Sequence, residues 1–392
     1  MARLTLSTLL AGIVALVTIA ATALAAGPQG VTDSEIVIGT HQDLSGPIAS
    51  WGVPVKNGMQ LAADEINAAG GVHGRKLRLV VEDSGYDPKK AVLATQKLLS
   101  RDNIFIMAGA MGTPTVLATM PLVLQKGLPH VFPLTAATQM YEPHDKLKFA
   151  LFTPYNFAMR VSIKWFVETK GKKAVCIMHQ DDEFGLNVKR GVEDQLRAMK
   201  MDLVSTTTYK RGSTDFSSQI AKLRADKCDL VALGTVIRET IGAMAEARKL
   251  GWTVDMVGSQ AAYAPEVAAL GKDVVEGFYA AGQTPIPYYD TASPPVKAWM
   301  DAYKAKFGLE ANIQSTAGYS VVTTTADGLR HAGRNLTVDS FVEGLRKIKD
   351  SKDIFGSAPI SFSADNHLAT KSAFVSQVRA GRWVKLTDHL NY

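Results

Sequence analysis

The sequence predicts an α/β protein built from two doubly wound, Rossmann-like lobes. Apolar runs of strand length alternate with segments of helical period along most of the 392 residues, and this alternation is typical of parallel sheets with crossover helices. The alternating elements fall into two successive sets. Without its leader segment the chain keeps about 365 residues, which is too long for one hydrophobic core. We therefore predict two domains, each with its own parallel sheet.

The first set of predicted elements lies before residue 135. Strands are expected at 35–40, 76–82, 104–108 and 130–134, with helices at 54–68, 88–100 and 114–126. The first helix illustrates the reasoning, because Val55, Met59 and Ile66 form one apolar stripe at helical spacing. Gly70 then ends that helix.

The second set follows with the same alternation. Strands are expected at 173–179, 203–209, 229–234, 255–258 and 276–281, with helices at 156–169, 186–199, 215–225 and 238–250. After residue 282 the pattern changes to a Pro-rich loop followed by helices at 296–307, 314–332 and 338–347. The stretch 372–386 alternates like a hairpin that turns at Ala380-Gly381.

Residues 1–26 have the features of a cleavable export signal. Arg3 gives a positive start, residues 9–23 are apolar or small, and small residues near Ala25 and Ala26 offer a cleavage site. The alternative is a membrane anchor, since the apolar run is nearly long enough to span a bilayer. The Ala and Thr content and the small-residue site favour cleavage, so we expect a periplasmic protein.

The charges and cysteines exclude some classes of partner and site. Without Arg3, 42 basic and 37 acidic residues remain, a net charge of +5 that is scattered along the chain. Nucleic acid is therefore not an expected partner. Cys176 and Cys228 stand in or beside predicted strands, and we expect two buried free thiols. Two cysteines without paired histidines predict no metal site.

The motifs of common enzyme classes are missing from the sequence. There is no G-x-S-x-G, H-E-x-x-H, P-loop or G-x-G-x-x-G pattern. The run HQDDE at 179–183 superficially suggests a metal site, but its carboxylates alternate in direction at a strand end. A polar strand-to-helix turn explains it better, so we expect no catalytic residue, no metal and no cofactor.

The place of a ligand follows from the predicted topology alone. In open α/β sheets, ligands bind beyond the carboxyl ends of the strands, at helix N-termini. That rule selects the loops 44–51, 109–115 and 133–138 in the first lobe and 180–185, 234–238 and 258–263 in the second. Two lobes that close over a ligand bury it from both sides.

Three motifs near the start of the mature chain point to a family. LSGPIASWG at 44–52, INAAGG at 66–71 and SGYDP at 84–88 have an order and spacing that closely resembles the leucine/isoleucine/valine-type periplasmic binding proteins of ABC importers, also called type I periplasmic binding proteins. The resemblance implies a binding protein without catalytic chemistry that captures a small carboxylate-bearing solute and delivers it to an ABC permease in the inner membrane. We expect a monomer.

The same resemblance implies a three-segment hinge between the lobes. The first lobe would comprise 31–153 and 284–355, and the second 154–283 and 356–392. In the family, the loops after two first-lobe strands hold the carboxylate of the ligand. This role falls here on Thr113, Leu134 and Ala136, with Thr135 adjacent, although the threonines also suit plain helix caps.

Other family positions form the walls of the cleft. Trp51 stands where the family places an aromatic side chain against the ligand, with core packing as the alternative. Phe184 replaces one family tyrosine, and Val236 stands where a second is usual. Tyr155 begins the second lobe and either compensates for these losses or serves the hinge. The family disulfide is absent, because Tyr86 and Gly112 occupy its two positions.

Gln260 is the most consequential departure from the family. The family carries a Glu there that pairs with the α-ammonium of the ligand, and a buried ammonium without such a partner costs several kcal/mol. Either another acid replaces it, with Asp181, Asp182 and Glu239 as candidates, or the ligand has no ammonium. We favour the second interpretation: an aromatic or aliphatic carboxylate, or an amide.

Two other functional classes remain compatible with the sequence to different degrees. A periplasmic sensor that feeds a receptor would share every feature named above, and a neighbouring receptor gene instead of permease and ATPase genes would distinguish it. A periplasmic hydrolase is less favoured, because no catalytic motif accompanies the fold.

Overall fold

The computed structural model describes residues 27–391, so the predicted export signal lies outside the described residues. Within 27–391, no helix combines the length and the apolar character needed to cross a membrane. The described chain forms two parallel-stranded sheets with helices packed against them, as the sequence predicts.

The first sheet has five strands in the order β2-β1-β3-β4-β5, and all neighbouring strands are parallel. The strands are β1 (Glu35–Gln42), β2 (Lys76–Asp83), β3 (Ile106–Ala108), β4 (His130–Val131) and β5 (Lys148–Phe149). The crossover helices are α1 (Ala49–Ala68), α2 (Pro88–Ser100) and α3 (Thr113–Gln125). As predicted, Val55, Met59 and Ile66 form the buried face of α1.

The second sheet has seven strands in the order β12-β11-β10-β9-β8-β6-β7. They are β6 (Val175–Gln180), β7 (Ser205–Tyr209), β8 (Leu230–Gly234), β9 (Asp255–Gly258), β10 (Tyr279–Gly282), β11 (Phe374–Arg379) and β12 (Arg382–Lys385). Its helices are α4 (Tyr155–Lys170), α5 (Glu183–Ala198), α6 (Ser217–Ala225), α7 (Ile237–Lys249) and α8 (Pro265–Gly271). β11 and β12 form the predicted hairpin and join β10 in antiparallel orientation.

The last helices complete the first lobe. They are α9 (Pro294–Phe307), α10 (Ile313–Ala332) and α11 (Val338–Arg346). α10 packs closely along α1, since a Cβ built on Gly58 would lie only 2.0 Å from the Ser315 carbonyl oxygen. This close crossing requires glycine on α1 and fixes the start of α10 beside the cleft.

The lobe boundaries at 284 and 355 stay predictions, and the core contacts beside them favour a different division. Ile286 is part of the core of the second lobe, with Tyr288 packed against it. The Phe362 ring stacks on Phe132 at 5.7 Å and meets Phe149 edge-on at 5.4 Å, inside the first lobe. The segment after 355 therefore stays with the first lobe because its apolar side chains complete that core, and we propose crossings near 292 and 372.

The expectation of two free thiols is wrong. Cys176 and Cys228 form a disulfide with their Cα atoms 5.8 Å apart. Cys176 lies in β6 and Cys228 just ahead of β8, and these strands are parallel neighbours, with Val175 opposite Leu230. The sequence places the two cysteines 52 residues apart, and only the strand order brings them together.

Loss of the disulfide should lower the stability of the protein. A cross-link that closes a loop of this length contributes roughly 2–4 kcal/mol, chiefly by restricting the unfolded chain. We expect reductant to lower the free energy of unfolding in urea by that amount. The Cys176→Ala/Cys228→Ala variant should have the same free energy of unfolding as the reduced protein, and reductant should not change it. Equal stability of oxidised and reduced protein would contradict this role.

Two buried histidines lie at the centre of the first lobe. Burial lowers the pKa of His41 to about 3 and that of His130 to about 4. His41 Nε2 lies 3.1 Å from the Thr119 hydroxyl, and Lys148 on the neighbouring strand further disfavours a charge on His130. Both side chains are therefore neutral in the folded protein at neutral pH.

These histidines should make the first lobe sensitive to acid. Their folded pKa values lie below the unfolded value near 6.5, so the stability present above pH 6.5 is lost as the pH falls. Between pH 7 and 5 we expect each to remove about 2 kcal/mol from the free energy of unfolding. The His41→Asn/His130→Asn variant should lose this part of the pH dependence, whereas His73→Asn, at an exposed site, should keep it. An unchanged pH profile in the double variant would disprove the assignment.

Candidate functional site

One cavity of about 120 Å³ lies between the two lobes, beyond the carboxyl ends of their parallel strands. The structure brings together all nine residues singled out in the sequence, and each of them lines this cavity: Trp51, Thr113, Leu134, Thr135, Ala136, Tyr155, Phe184, Val236 and Gln260. All six loops selected by the topology rule contribute a lining residue, with Phe184 of the loop 180–185 standing in the first turn of α5.

Sequence reasoning missed several other lining residues. Ile313 and Thr316 come from the first turn of α10, which reaches the cleft because of its close crossing with α1. Phe152 stands just before α4, and Gln283 and Thr284 directly follow β10. No pattern in the sequence marks these positions, since each is brought in by a distant part of the chain. Tyr263 also lines the cavity, and its loop was selected although the residue was not.

The N-terminus of α3 forms a polar corner of the cavity. Its cap residue, Gly112, makes no side-chain hydrogen bond to the helix, so the first backbone N–H groups of α3 are available to an anion. The Thr113 and Thr135 hydroxyls lie 2.6 Å apart, and Thr135 also accepts a hydrogen bond from Ala137 N at 3.3 Å. By contrast, the Thr115 hydroxyl donates to the Gly112 carbonyl at 2.9 Å and serves the helix.

The opposite walls of the cavity are aromatic. Tyr155 and Phe184 meet edge-on with ring centroids 5.1 Å apart, and burial raises the pKa of Tyr155 to about 12, so its phenol stays neutral. Trp51 packs against the cores of both lobes. Its indole Nε1 is buried without a hydrogen-bond partner, which leaves one donor for a bound molecule.

No charged side chain belongs to the described lining of the cavity. Asp182 caps α5 by accepting from Phe184 N at 3.0 Å, and its other oxygen accepts from Gln180 Nε2 at 2.5 Å. Burial raises the pKa of Asp182 and of Glu239, neither of which lines the cavity. Asp181 is exposed to solvent. None of the three candidate acids therefore replaces the missing charge at Gln260.

Tyr86 connects the lobes at the position of the missing family disulfide. Gly112 has a φ of +90°, and a Cβ built on it would lie 2.5 Å from Cε2 of the Tyr86 ring. The Tyr86 carbonyl accepts a hydrogen bond from Arg211 Nη1 at 2.7 Å, and the guanidinium lies 5.0 Å from the centre of the ring. At the two positions where the resemblance implies a disulfide, a ring thus packs on glycine, and Tyr86 also contacts the second lobe through Arg211.

Further hydrogen bonds join the lobes on other sides of the cleft. Thr138 N donates to Asn187 Oδ1 at 2.9 Å, and Gln314 Nε2 donates to Glu266 Oε2 at 2.8 Å. Burial raises the pKa of Glu266. With the contact between Arg211 and Tyr86, these bonds surround the cavity and hold the lobes together over it.

Comparison with known proteins decides the family. A family model described as a periplasmic binding protein matches residues 35–382, most of the chain. The chain belongs to the periplasmic binding protein family. This family consists of solute-binding proteins of the periplasm, and the resemblance predicted from the three sequence motifs is confirmed.

Relatives and solved structures agree with this assignment. A leucine-, isoleucine-, valine-, threonine- and alanine-binding protein of Pseudomonas aeruginosa is 26% identical over 290 residues, 74% of this chain and 76% of that protein. A fatty acid ABC transporter substrate-binding protein from Thermomonospora curvata has a TM-score of 0.83 at 24% identity and covers 93% of this chain and 95% of its own. A branched-chain amino acid ABC transporter structure from Thermus thermophilus with bound valine has a TM-score of 0.83 at 16% identity, with coverages of 93% and 97%. At these identities the two structures show the fold of this periplasmic binding protein.

Metal-ligating side chains do not cluster in the part of the chain that the structure describes. Among residues 27–391, no group of three or more His, Cys, Asp or Glu could hold a metal ion. The HQDDE run lies at the end of β6 and the start of α5, where Asp182 acts as the helix cap. The predicted polar strand-to-helix turn is what the structure shows.

Substitution of Gly112 should disturb the Tyr86 ring as well as the backbone. Gly112→Ala adds a Cβ at a positive φ and pushes it into Tyr86. Gly127→Ala is the matched control, since Gly127 has a φ of +68° and no atom within 4 Å of its Cβ position. We expect the control to lower the free energy of unfolding by about 1 kcal/mol and Gly112→Ala by about 1–3 kcal/mol more, measured in urea. Equal losses would show that the ring moves freely.

Proposed function

We propose that this protein is the periplasmic solute-binding component of a branched-chain amino acid-type ABC importer. Its ligand is a small carboxylate-bearing solute without an α-ammonium group, either an aromatic or an aliphatic acid. The relatives whose names state leucine, isoleucine and valine support the amino-acid-type importer. The lining of the cavity supports a ligand that carries a carboxylate but, unlike an amino acid, no ammonium.

The observation that carries this proposal is the uncharged lining around Gln260. An ammonium buried here would meet no carboxylate, at a cost of several kcal/mol, because Asp181, Asp182 and Glu239 all lie outside the lining. An anion meets the free N–H groups at the start of α3 and needs no charged side chain. The sign of this electrostatic environment favours a carboxylate and disfavours an ammonium.

The proposed contacts divide the ligand into a polar end and an apolar body. Thr113, Thr135 and the backbone N–H of Ala136 hold the carboxylate, with the Leu134 side chain beside it, since the Leu134 N–H already donates to the Ala110 carbonyl. Trp51, Tyr155, Phe184 and Val236 enclose the apolar part, and Gln260 lies at the second polar position. All nine line one cavity, so one small molecule contacts them together.

The proposed mechanism is capture by closure of the two lobes. Binding brings the lobes together, and the closed form presents a surface to the permease in the inner membrane. No covalent step occurs, so the protein is not an enzyme. We propose that it acts as a monomer in the periplasm after cleavage near Ala25 and Ala26.

A panel of matched ligands tests the proposed function. The mature protein, refolded after removal of bound ligand, is heated with 4-methylpentanoate, 3-phenylpropanoate, leucine or phenylalanine. A ligand at about a hundred times its dissociation constant adds roughly 2.7 kcal/mol to stability and raises the melting temperature. We expect a shift with the deaminated acids and none with the amino acids. A shift with leucine alone would restore the plain amino-acid assignment.

A tryptophan pair tests whether binding occurs in this cavity. Trp51→Ala should weaken binding of the active acid at least tenfold, about 1.4 kcal/mol, because the ring lines the cavity. Trp252→Ala is the control, since Trp252 packs against the core of the second lobe. Equal affinities for both variants would place the ligand elsewhere.

A further inference from the structure

Thr153 stands at the first crossing and is bound by groups from the ends of two strands of the second sheet and from the cleft. Its backbone N–H donates to Gln283 Oε1 at 2.6 Å, and its carbonyl accepts from Gln260 Nε2 at 2.6 Å. Its hydroxyl donates to the Ser372 carbonyl at 2.5 Å. Gln283 follows β10 and Ser372 precedes β11, so three segments that are distant in sequence meet at this one residue.

The bonds to Thr153 fix both glutamine side chains in opposite orientations. Thr153 precedes Pro154, and a residue before proline is held in an extended conformation. In an extended residue the N–H and the carbonyl point to the same side, so the two glutamines approach Thr153 from one side. Gln260 gives its Nε2 to the hinge and leaves Oε1, which is buried without a partner. Gln283 gives its Oε1 and leaves Nε2.

The cavity therefore contains a neutral acceptor beside a neutral donor, since Gln260 and Gln283 both line it. An ammonium on the ligand would suit the Gln260 oxygen but oppose the Gln283 amide hydrogens. A second carboxylate would suit Gln283 but oppose the Gln260 oxygen. A hydroxyl or a primary carboxamide donates one hydrogen bond and accepts another, and so satisfies both glutamines without a charge.

We propose that the ligand carries a neutral group that both donates and accepts a hydrogen bond, a hydroxyl or a carboxamide, on the carbon next to its carboxylate. This inference rests on the proposed function and narrows the solute to α-hydroxy or α-carbamoyl acids. Thr153 is a positioning residue, because it orients the glutamines and does not line the cavity.

The hinge also explains why residue 260 is an amide. The Thr153 carbonyl needs a donor at this place, and a glutamate would put a carboxylate oxygen where Gln260 Nε2 now lies, 2.6 Å from the carbonyl oxygen. Gln260→Glu would thus lose the hinge bond as well as oppose an anionic ligand. The identity of residue 260 is tied to the hinge and to the ligand together.

Calorimetric titration of the ligand-stripped mature protein tests the inference. Two series of ligands are compared, and the members of each series differ only at the α-carbon. The aliphatic series is 4-methylpentanoate, its 2-hydroxy and 2-carbamoyl derivatives and leucine. The aromatic series is 3-phenylpropanoate, phenyllactate and phenylalanine. In the series that binds, we expect the hydroxy or the carbamoyl acid to bind at least about tenfold more tightly than the unsubstituted acid. The two derivatives distinguish a hydroxyl ligand from a carboxamide ligand.

Variants then locate the preference at the two glutamines. Gln260→Met and Gln283→Met keep the length of the side chain but remove the polar group, so each should reduce the tenfold preference to less than about threefold. Thr153→Val is the control: it removes the bond to Ser372 and leaves both backbone bonds to the glutamines, so the preference should persist. The preference is the ratio of the affinities of two ligands for the same variant. A general effect of the substitution on lobe closure changes both affinities alike and cancels in this ratio.

The outcomes separate this inference from the proposed function. Equal affinity for the substituted and unsubstituted acids in the unaltered protein overturns the inference and leaves the proposed function intact. Tightest binding of leucine or phenylalanine overturns both, as does binding of no acid in either series. A preference that survives in Gln260→Met and Gln283→Met, with both variants folded by circular dichroism, overturns the assignment to these residues.

Discussion

The functional arrangement depends on one constraint of parallel sheets. When every strand is followed by a crossover helix, all strand-to-helix loops of a lobe lie at the same edge of its sheet. β1, β3 and β4 end there in the first lobe, and β6, β8 and β9 end there in the second. The two edges face each other across the cleft, so loops far apart in sequence form a single cavity.

The electrostatic character of that cavity depends on the lack of charged side chains in its described lining. Backbone N–H groups at the start of α3 provide positive potential without a charged side chain, and no acid lines the described walls to balance a cation. Relatives of this chain are named as amino-acid-binding proteins. The cavity of this protein, by contrast, has a positive potential and no negative one. Gln260, where the resemblance implies a glutamate, and the absence of Asp182 and Glu239 from the lining act in the same direction.

The cross-links of this protein differ from those that the family resemblance implies. The Tyr86 ring packs on Gly112 where a disulfide is expected, and its carbonyl binds Arg211 of the other lobe. A disulfide is present instead between Cys176 and Cys228, inside the second sheet. This cross-link lies inside a lobe, whereas the described contacts between Tyr86, Gly112 and Arg211 at the cleft are non-covalent.

The sequence by itself determined the fold class, the strands and helices and the loops that carry the site, because hydrophobic periodicity and the motif spacing are local properties of the chain. The topology of parallel sheets selected the six loops, and the family resemblance singled out within and beside them the nine residues that line the cavity. Only the tertiary structure decided the pairing of Cys176 with Cys228, the contribution of α10 to the cavity and the meeting of Gln260 and Gln283 at Thr153. Each of these joins segments that are distant in sequence, and their contact depends on strand neighbours, helix crossings and hinge geometry that no local pattern encodes.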